Sequence, residues 1–208
     1  GAFGFRYWRD HHQADGAPAV AAATGVHAPS TATAKHRDAP PATPRMYGTI
    51  AFRPCTLAPQ FGQASVEAQR GTFDVAEDPA NAHGRHIALN IAWIAPDEDA
   101  EVAPDPVFLL AGGPGQSATE VYPQVAPAFH DVLRHRNVIL VDQRGTGESN
   151  PLKCESAGRL ADGAGVDEVA AATARCRDAL SKRADLRFYT TTDAVRDLES
   201  VRKALGVA

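Results

Sequence analysis

The 208-residue chain contains no apolar run near the roughly 20 residues that cross a bilayer, which argues against a transmembrane span. Cysteine is scarce: Cys55, Cys154 and Cys176 are the only three, and no two stand at C-x-x-C spacing. A zinc or dithiol redox centre is therefore not expected, and no metal or cofactor is implied. There is no basic excess either. Lys and Arg number 21 against 25 Asp and Glu, a formal net charge of −4, so nucleic acid has no electrostatic footprint to meet. Internal repeats are absent. His11 and His12 are adjacent but have no second pair of ligands nearby, and read as solvated residues. Residue 1 is Gly rather than Met, so the N-terminus is expected to be processed or cut, with any signal segment upstream.

What is present suits one domain with a real core: 44% of residues are hydrophobic and 22% charged. The division falls near residue 45. Residues 14–45 hold 23 Ala, Pro, Gly, Ser or Thr in 32 positions, so residues 1–45 are expected to form a flexible Ala/Pro-rich segment. "GAFGFRYW" ahead of them is either the tail of an export segment or an ordinary aromatic cluster. Folded structure is expected over 46–208. "GTFDVA" (71–76) and "RHIALNIAWIA" (85–95) read as strands joined by the turn "EDPANAHG". In the second, Ile87, Leu89, Ile91 and Trp93 alternate with smaller residues, the pattern of a half-buried strand.

"VFLL" (107–110) and "NVILVD" (137–142) are continuous apolar runs, expected for central strands covered on both faces. The segment between them is long enough for a helical crossover, bounded or interrupted by Pro123 and Pro127. That makes a βαβ unit. Residues 166–183 read as an alanine-rich helix. In "TTTDAVRDLESVRKALG" the stripe Ala194, Leu198, Val201, Leu205 predicts another, capped by Thr191 or Thr192 and stopped by Gly206.

The chemically pointed feature is the loop after "VFLL", which runs Ala111, Gly112, Gly113, Pro114, Gly115. A phosphate cradle would need a lysine after its last glycine, or a GxGxxG spacing that Pro114 breaks. A structural turn remains open, since strand-to-helix junctions use glycine freely. The third possibility is an oxyanion hole, where bare amides meet the charge formed as a serine attacks a carbonyl.

"LLAGGPGQS" followed by "VILVDQRGTGES", with "PLKC" and "YTTTDAVRDLESVRKALG" after them, resembles the prolyl aminopeptidase and secreted bacterial tripeptidyl aminopeptidase group of α/β-hydrolases. The resemblance covers residues 50–208. It implies the N-terminal part of an α/β-hydrolase fold, with a mostly parallel sheet, flanking helices and an incomplete architecture. Gly113, with Gly112, would carry the oxyanion-hole loop, while Gly115 permits the turn and Pro114 stiffens it. Asp142, Arg144, Gly145, Gly147 and Ser149 match the family's second segment, where Arg144 would tie active-site loops together. Asp142 is not the triad acid, which follows the nucleophile in this fold. Cys154 and Cys176 fall where this branch carries a bridge, which points to a periplasmic or secreted protein; three free thiols would suit the cytoplasm instead.

Two departures stand out. Ala111 occupies a position where relatives carry His or Pro. In "AQRGT" Arg70 stands where relatives place a cysteine, leaving Cys55 without that partner. Nor does the chain contain any G-x-S-x-G elbow for the nucleophile. Ser117 and Ser149 have no identifiable base, and His130 and His135 precede any nucleophile. The implied function is therefore the first part of a serine exopeptidase acting on a peptide or small acyl substrate, its triad supplied by a missing C-terminal half. A small-molecule esterase on the same fold and a non-catalytic truncated remnant are the alternatives.

Overall fold

The computed structural model describes residues 43–59, 62, 64–96, 101–113, 115–154 and 164–207. The segment expected to be flexible, residues 1–45, lies almost wholly outside them, as do His11, His12 and Pro114. Six strands form one sheet: β1 Arg45–Tyr47, β2 Ile50–Leu57, β3 Val66–Ala76, β4 His86–Ile94, β5 Val107–Leu109 and β6 Val138–Val141. Their order across the sheet is β1-β2-β3-β4-β6-β5. Only β5 and β6 run parallel; the other four pairings are antiparallel.

The expectation of a mostly parallel sheet with flanking helices is thus overturned. The physical reason lies in the connections. Gly48 and Thr49 alone join β1 to β2, and a nine-residue turn joins β3 to β4. Links this short return the chain antiparallel, whereas a parallel neighbour needs a crossover of a dozen or more residues. Among the described elements that crossover occurs once, between β5 and β6. It contains α1 (Ala118–Val125), a 3₁₀ turn at Ala126–Phe129 and α2 (His130–Leu133). Pro123 sits in the last turn of α1, and the helix ends two residues later. Two longer helices follow, α3 (Val166–Leu180) and α4 (Thr191–Leu205).

Strand β6 is buried at every position. Ile139 and Val141 point into a cluster with Phe52, Leu89, Ile91, Val201 and Leu205, which α4 covers. Val138 and Leu140 join Leu57, Ala92, Ile94, Ala118 and Tyr122 on the opposite face, beneath α1. Strand β4 departs from the half-buried expectation. Ile87 and Leu89 alternate with exposed neighbours, but Asn90, Ala92 and Ile94 are buried as well, because β4 enters the middle of the sheet beside β6. β5 departs the other way. It is an edge strand of three partly exposed residues, and Leu110 beyond it is 56% exposed.

The end of α4 locks onto the other end of the sheet. Gly206 adopts φ 71° and its N–H bonds the carbonyls of Arg202 and Lys203. The β1–β2 turn packs against this terminus, with Thr49 donating N–H to the Ala204 carbonyl at 2.8 Å. Gly48, at φ +57°, leaves no room for a side chain: a Cβ there would lie 2.1 Å from the Ala204 oxygen. The cap of α4 is Thr190, one residue before the predicted pair, its hydroxyl accepting from the Asp193 N–H. Cys154 and Cys176 form a disulfide, Cα–Cα 5.7 Å, joining the segment after β6 to α3.

Candidate functional site

The glycine loop leaves the sheet at the carboxyl end of β5, and the crossover returns through α1. Ser117 caps α1, its hydroxyl accepting from the Glu120 N–H at 3.3 Å, so the loop ends where a helix N-terminus begins. Gln143 holds the loop from the neighbouring strand end, its side-chain amide donating to the Ala111 carbonyl at 3.2 Å. Gly113 has φ +137° and Gly115 φ +92°, conformations that residues with a Cβ rarely adopt. Gly112 and Gly113 are exposed. Among the described residues neither of their N–H groups meets an acceptor. Around Gly112 a Cβ would find nothing within 4 Å. The loop therefore offers accessible amides and, at Gly112, open space above them.

Asp142 is the buried post behind the loop. Its carboxylate accepts from Asn90 Nδ2 at 2.8 Å, from the Thr119 N–H at 3.0 Å, from the Thr119 hydroxyl and from the Glu148 N–H at 3.3 Å. One carboxylate thus joins β4, the first turn of α1 and the loop after β6. Ser149 closes the ring: its hydroxyl donates to the Asp142 carbonyl at 2.7 Å and accepts from the Asn90 N–H at 2.8 Å. Gly147, at φ +50°, crosses so near that a Cβ would stand 2.2 Å from Asp142 Oδ2. Gly145, φ +84°, lets the chain pass Tyr189 and Leu152, its N–H bonding the Ser149 carbonyl at 2.7 Å.

Arg144 spends all its donors internally. Nε and Nη2 clamp Asp197 at 2.7 Å each, and Nη1 donates to the carbonyls of Glu77 and Phe188 at 2.9 and 2.7 Å. It joins the end of β3, the turn before α4 and α4 itself. The glycine loop is not among its partners. Beside it Glu77 accepts from the Tyr189 hydroxyl at 2.9 Å and from Arg85 at 3.1 Å. Burial first, and then the Glu77 carboxylate, push the Tyr189 phenol up to about 12.

Neither suspected serine can act as a nucleophile in this arrangement. Ser117 and Ser149 are both fully buried, with their hydroxyls engaged in the cap and in the Asp142 ring. His130 is 78% exposed on the crossover, with the Asp131 carboxylate 3.8 Å from its Nδ1. Cys55 is a free thiol, pushed up by burial, and Arg70 lies beside it, paired with Glu148 at 2.5 Å. Among the described residues no cluster of three or more His, Cys, Asp or Glu is placed to hold a metal, and no helix is long and apolar enough to cross a membrane.

The glycine loop read from the sequence, and Asp142 and Arg144 implied by the resemblance, left out Asn90, Thr119, Gln143, Glu77 and Asp197, which give them their contacts. Asn90 had a legible signal, a polar side chain inside an otherwise apolar strand. The others look like ordinary surface residues until the chain folds. No protein-family model and no curated protein matches the chain.

Proposed function

We propose that this chain supplies the oxyanion-hole loop of a serine hydrolase, most consistent with an exopeptidase that releases short N-terminal pieces from peptides. One observation carries the reading: Gly112 and Gly113 are exposed at the carboxyl end of β5, and their N–H groups meet no acceptor among the described residues. Fixed N–H donors of this kind are what a developing carbonyl oxyanion requires, and they need no reorganisation when charge appears. The Asp142 ring supports the reading by holding β4, the start of α1 and the loop after β6 to one geometry, while its neighbour Gln143 holds the glycine loop at the Ala111 carbonyl.

The nucleophile, its histidine and its acid come from outside these 208 residues, which contain no G-x-S-x-G. The segment carrying them must lie against the glycine loop. The outer side of β5 is suited to receive it. It has no strand partner among the described residues, and a cavity of about 270 Å³ lined by Phe108, Leu110, Val195, Leu198, Glu199 and Arg202 opens beside it. The bridge between Cys154 and Cys176 accords with export to the periplasm or beyond. An esterase using the same loop is the second reading, since the oxyanion is common to both acyl transfers.

The test is a chain extended by whatever its reading frame encodes beyond Ala208. A fluorophosphonate is expected to label that chain at a serine and to leave residues 1–208 unlabelled. In the extended chain Gly112→Ala should keep its thermal midpoint, because the site is open, yet lose roughly 10²-fold in kcat as the methyl group blocks approach to the amide. Full activity in Gly112→Ala, or labelling at Ser117 or Ser149, defeats the proposal. Comparing peptide and simple ester substrates separates the two readings.

A further inference from the structure

A second recess, unrelated to the glycine loop, lies where the β3–β4 turn meets the end of α3. Its lining comprises Arg85, Arg177, Ser181, Ala184, Asp185, Leu186 and Arg187, and its volume is about 370 Å³. Three guanidinium groups face one lining carboxylate. All three are held in place by acids, so their forks are oriented before any ligand arrives.

Arg85 is the most constrained. Its Nη1 donates to Glu77 Oε2 at 3.1 Å, and the Glu77 side chain is only 5% exposed. The other Glu77 oxygen accepts from the Asp185 N–H and the Tyr189 hydroxyl, which fixes that carboxylate in turn. Arg187 grips Asp185 through Nε and Nη2, at 2.9 and 2.6 Å, and holds its carboxyl down at about 2. Arg177 grips Asp178 through Nε and Nη2. Left over are Nε and Nη2 of Arg85 and Nη1 of both Arg177 and Arg187, none with an acceptor among the described residues. Acids neutralise the net charge, but they occupy one side of each guanidinium group and leave planar N–H pairs turned elsewhere.

We propose that this recess binds a small molecule through an oxyanion group, phosphate or carboxylate, held jointly by Arg85, Arg177 and Arg187. The chemistry is that of guanidinium forks, which match the paired oxygens of such groups. The volume exceeds that of a bare phosphate and falls within the range of ligand sites, so it admits an organic remainder as well. Because the arginines are partly exposed and partly neutralised, binding of the bare group is weak, in the millimolar range.

Inorganic phosphate is titrated into the full chain at ionic strength held constant with sodium chloride, and amide shifts are followed. The expected result is saturable shifts confined to residues around the recess, displaced by citrate if carboxylates share the site and undisturbed by it if phosphate is preferred. Arg177→Gln and Arg187→Gln, both on exposed side chains, should each weaken binding by roughly fivefold. Arg134→Gln, at the opposite end of β6, should leave it unchanged. Arg85→Gln adds a third arm, and its loss of the Glu77 contact makes the two exposed variants the deciding ones. Shifts that match sodium chloride alone, or an equal loss in Arg134→Gln, overturn the proposal.

Discussion

Replacing Arg144 by methionine tests the assignment of this arginine as a buried clamp rather than a catalytic group. Arg144 and Asp197 are nearly inaccessible, their side chains 2% and 5% exposed. Burial raises the Asp197 carboxyl despite the guanidinium beside it, and Asp193 adds to the rise. On Asp197 burial outweighs the attraction, whereas the same carboxylate holds the Arg144 guanidinium above its ordinary value, so the two partners depend on each other to stay charged. Arg144→Met strands an ionised carboxylate and removes the donors to the Glu77 and Phe188 carbonyls, at a cost of about 4 kcal/mol. Asp197→Leu strands the guanidinium but leaves its carbonyl bonds, costing about 3 kcal/mol. In the double variant no charge is stranded. Only backbone carbonyls lose a donor, those of Glu77 and Phe188 at about 1 kcal/mol each, while the bond to the Ala76 carbonyl is long, at 3.4 Å, and adds little. The double variant is thus expected to cost about 2 kcal/mol, well under the sum of about 7 kcal/mol for the singles. Urea denaturation measures all three. With a slope of about 2 kcal/mol per molar, the midpoint falls by about 2 M for Arg144→Met and recovers to within about 1 M of wild type in the double variant. Additive losses would refute the clamp, because they would mean the two groups do not depend on each other.

Gly48→Ala should destabilise by roughly 3 kcal/mol or more, since a positive φ and a 2.1 Å approach to a backbone oxygen leave nothing flexible to yield; an unchanged melting temperature would disprove that packing. For Tyr189, a folded value near 12 against about 10 unfolded means the unfolded chain releases its proton first, so stability falls as pH rises from 10 toward 12. Tyr189→Phe should flatten that part of the profile in alkaline denaturation, and an identical slope would remove the assignment. Thiol titration of the unfolded, unreduced chain is expected to find Cys55 alone. Reduction should expose all three cysteines and cost about 3 kcal/mol; three thiols before reduction would contradict the bridge.

Much of the local structure was legible because it depends on near neighbours. The turn at 77–84, strand β4 and helix α4 with its Gly206 stop follow from turn residues, periodicity and capping acting within a few residues, and helix α3 from its alanine-rich composition. The cap at Thr190 was misread by one position, since three consecutive threonines offer the same hydroxyl and only the backbone extended at Thr190 makes one of them the cap. The sheet was read wrongly for a different reason. A βαβ signature at 107–141 is local, but it says nothing about how the four earlier strands join it: short links made their own pairings antiparallel, and β4 then meets β6 antiparallel as well. β5 shows the same limit: "VFLL" is as apolar as a central strand, yet its burial depends on what lies beside it.

The amino-acid sequence alone determined where glycine was needed and where charge was spent. The loop from Gly112 to Gly115 stands out in the linear order as bare backbone after an apolar run, while Gly147, Asp142 and Arg144 were marked by the family resemblance. Tertiary structure alone decided what those residues do. Asp142 became a post because folding brought Asn90 from 52 positions away and Thr119 from 23. Arg144 became a clamp away from the loop because α4 delivered Asp197 across 53 positions. Hydrogen bonds and ion pairs act over a few ångströms, so the roles of buried polar groups are set by which strands and helices meet, and that meeting is a property of the whole chain.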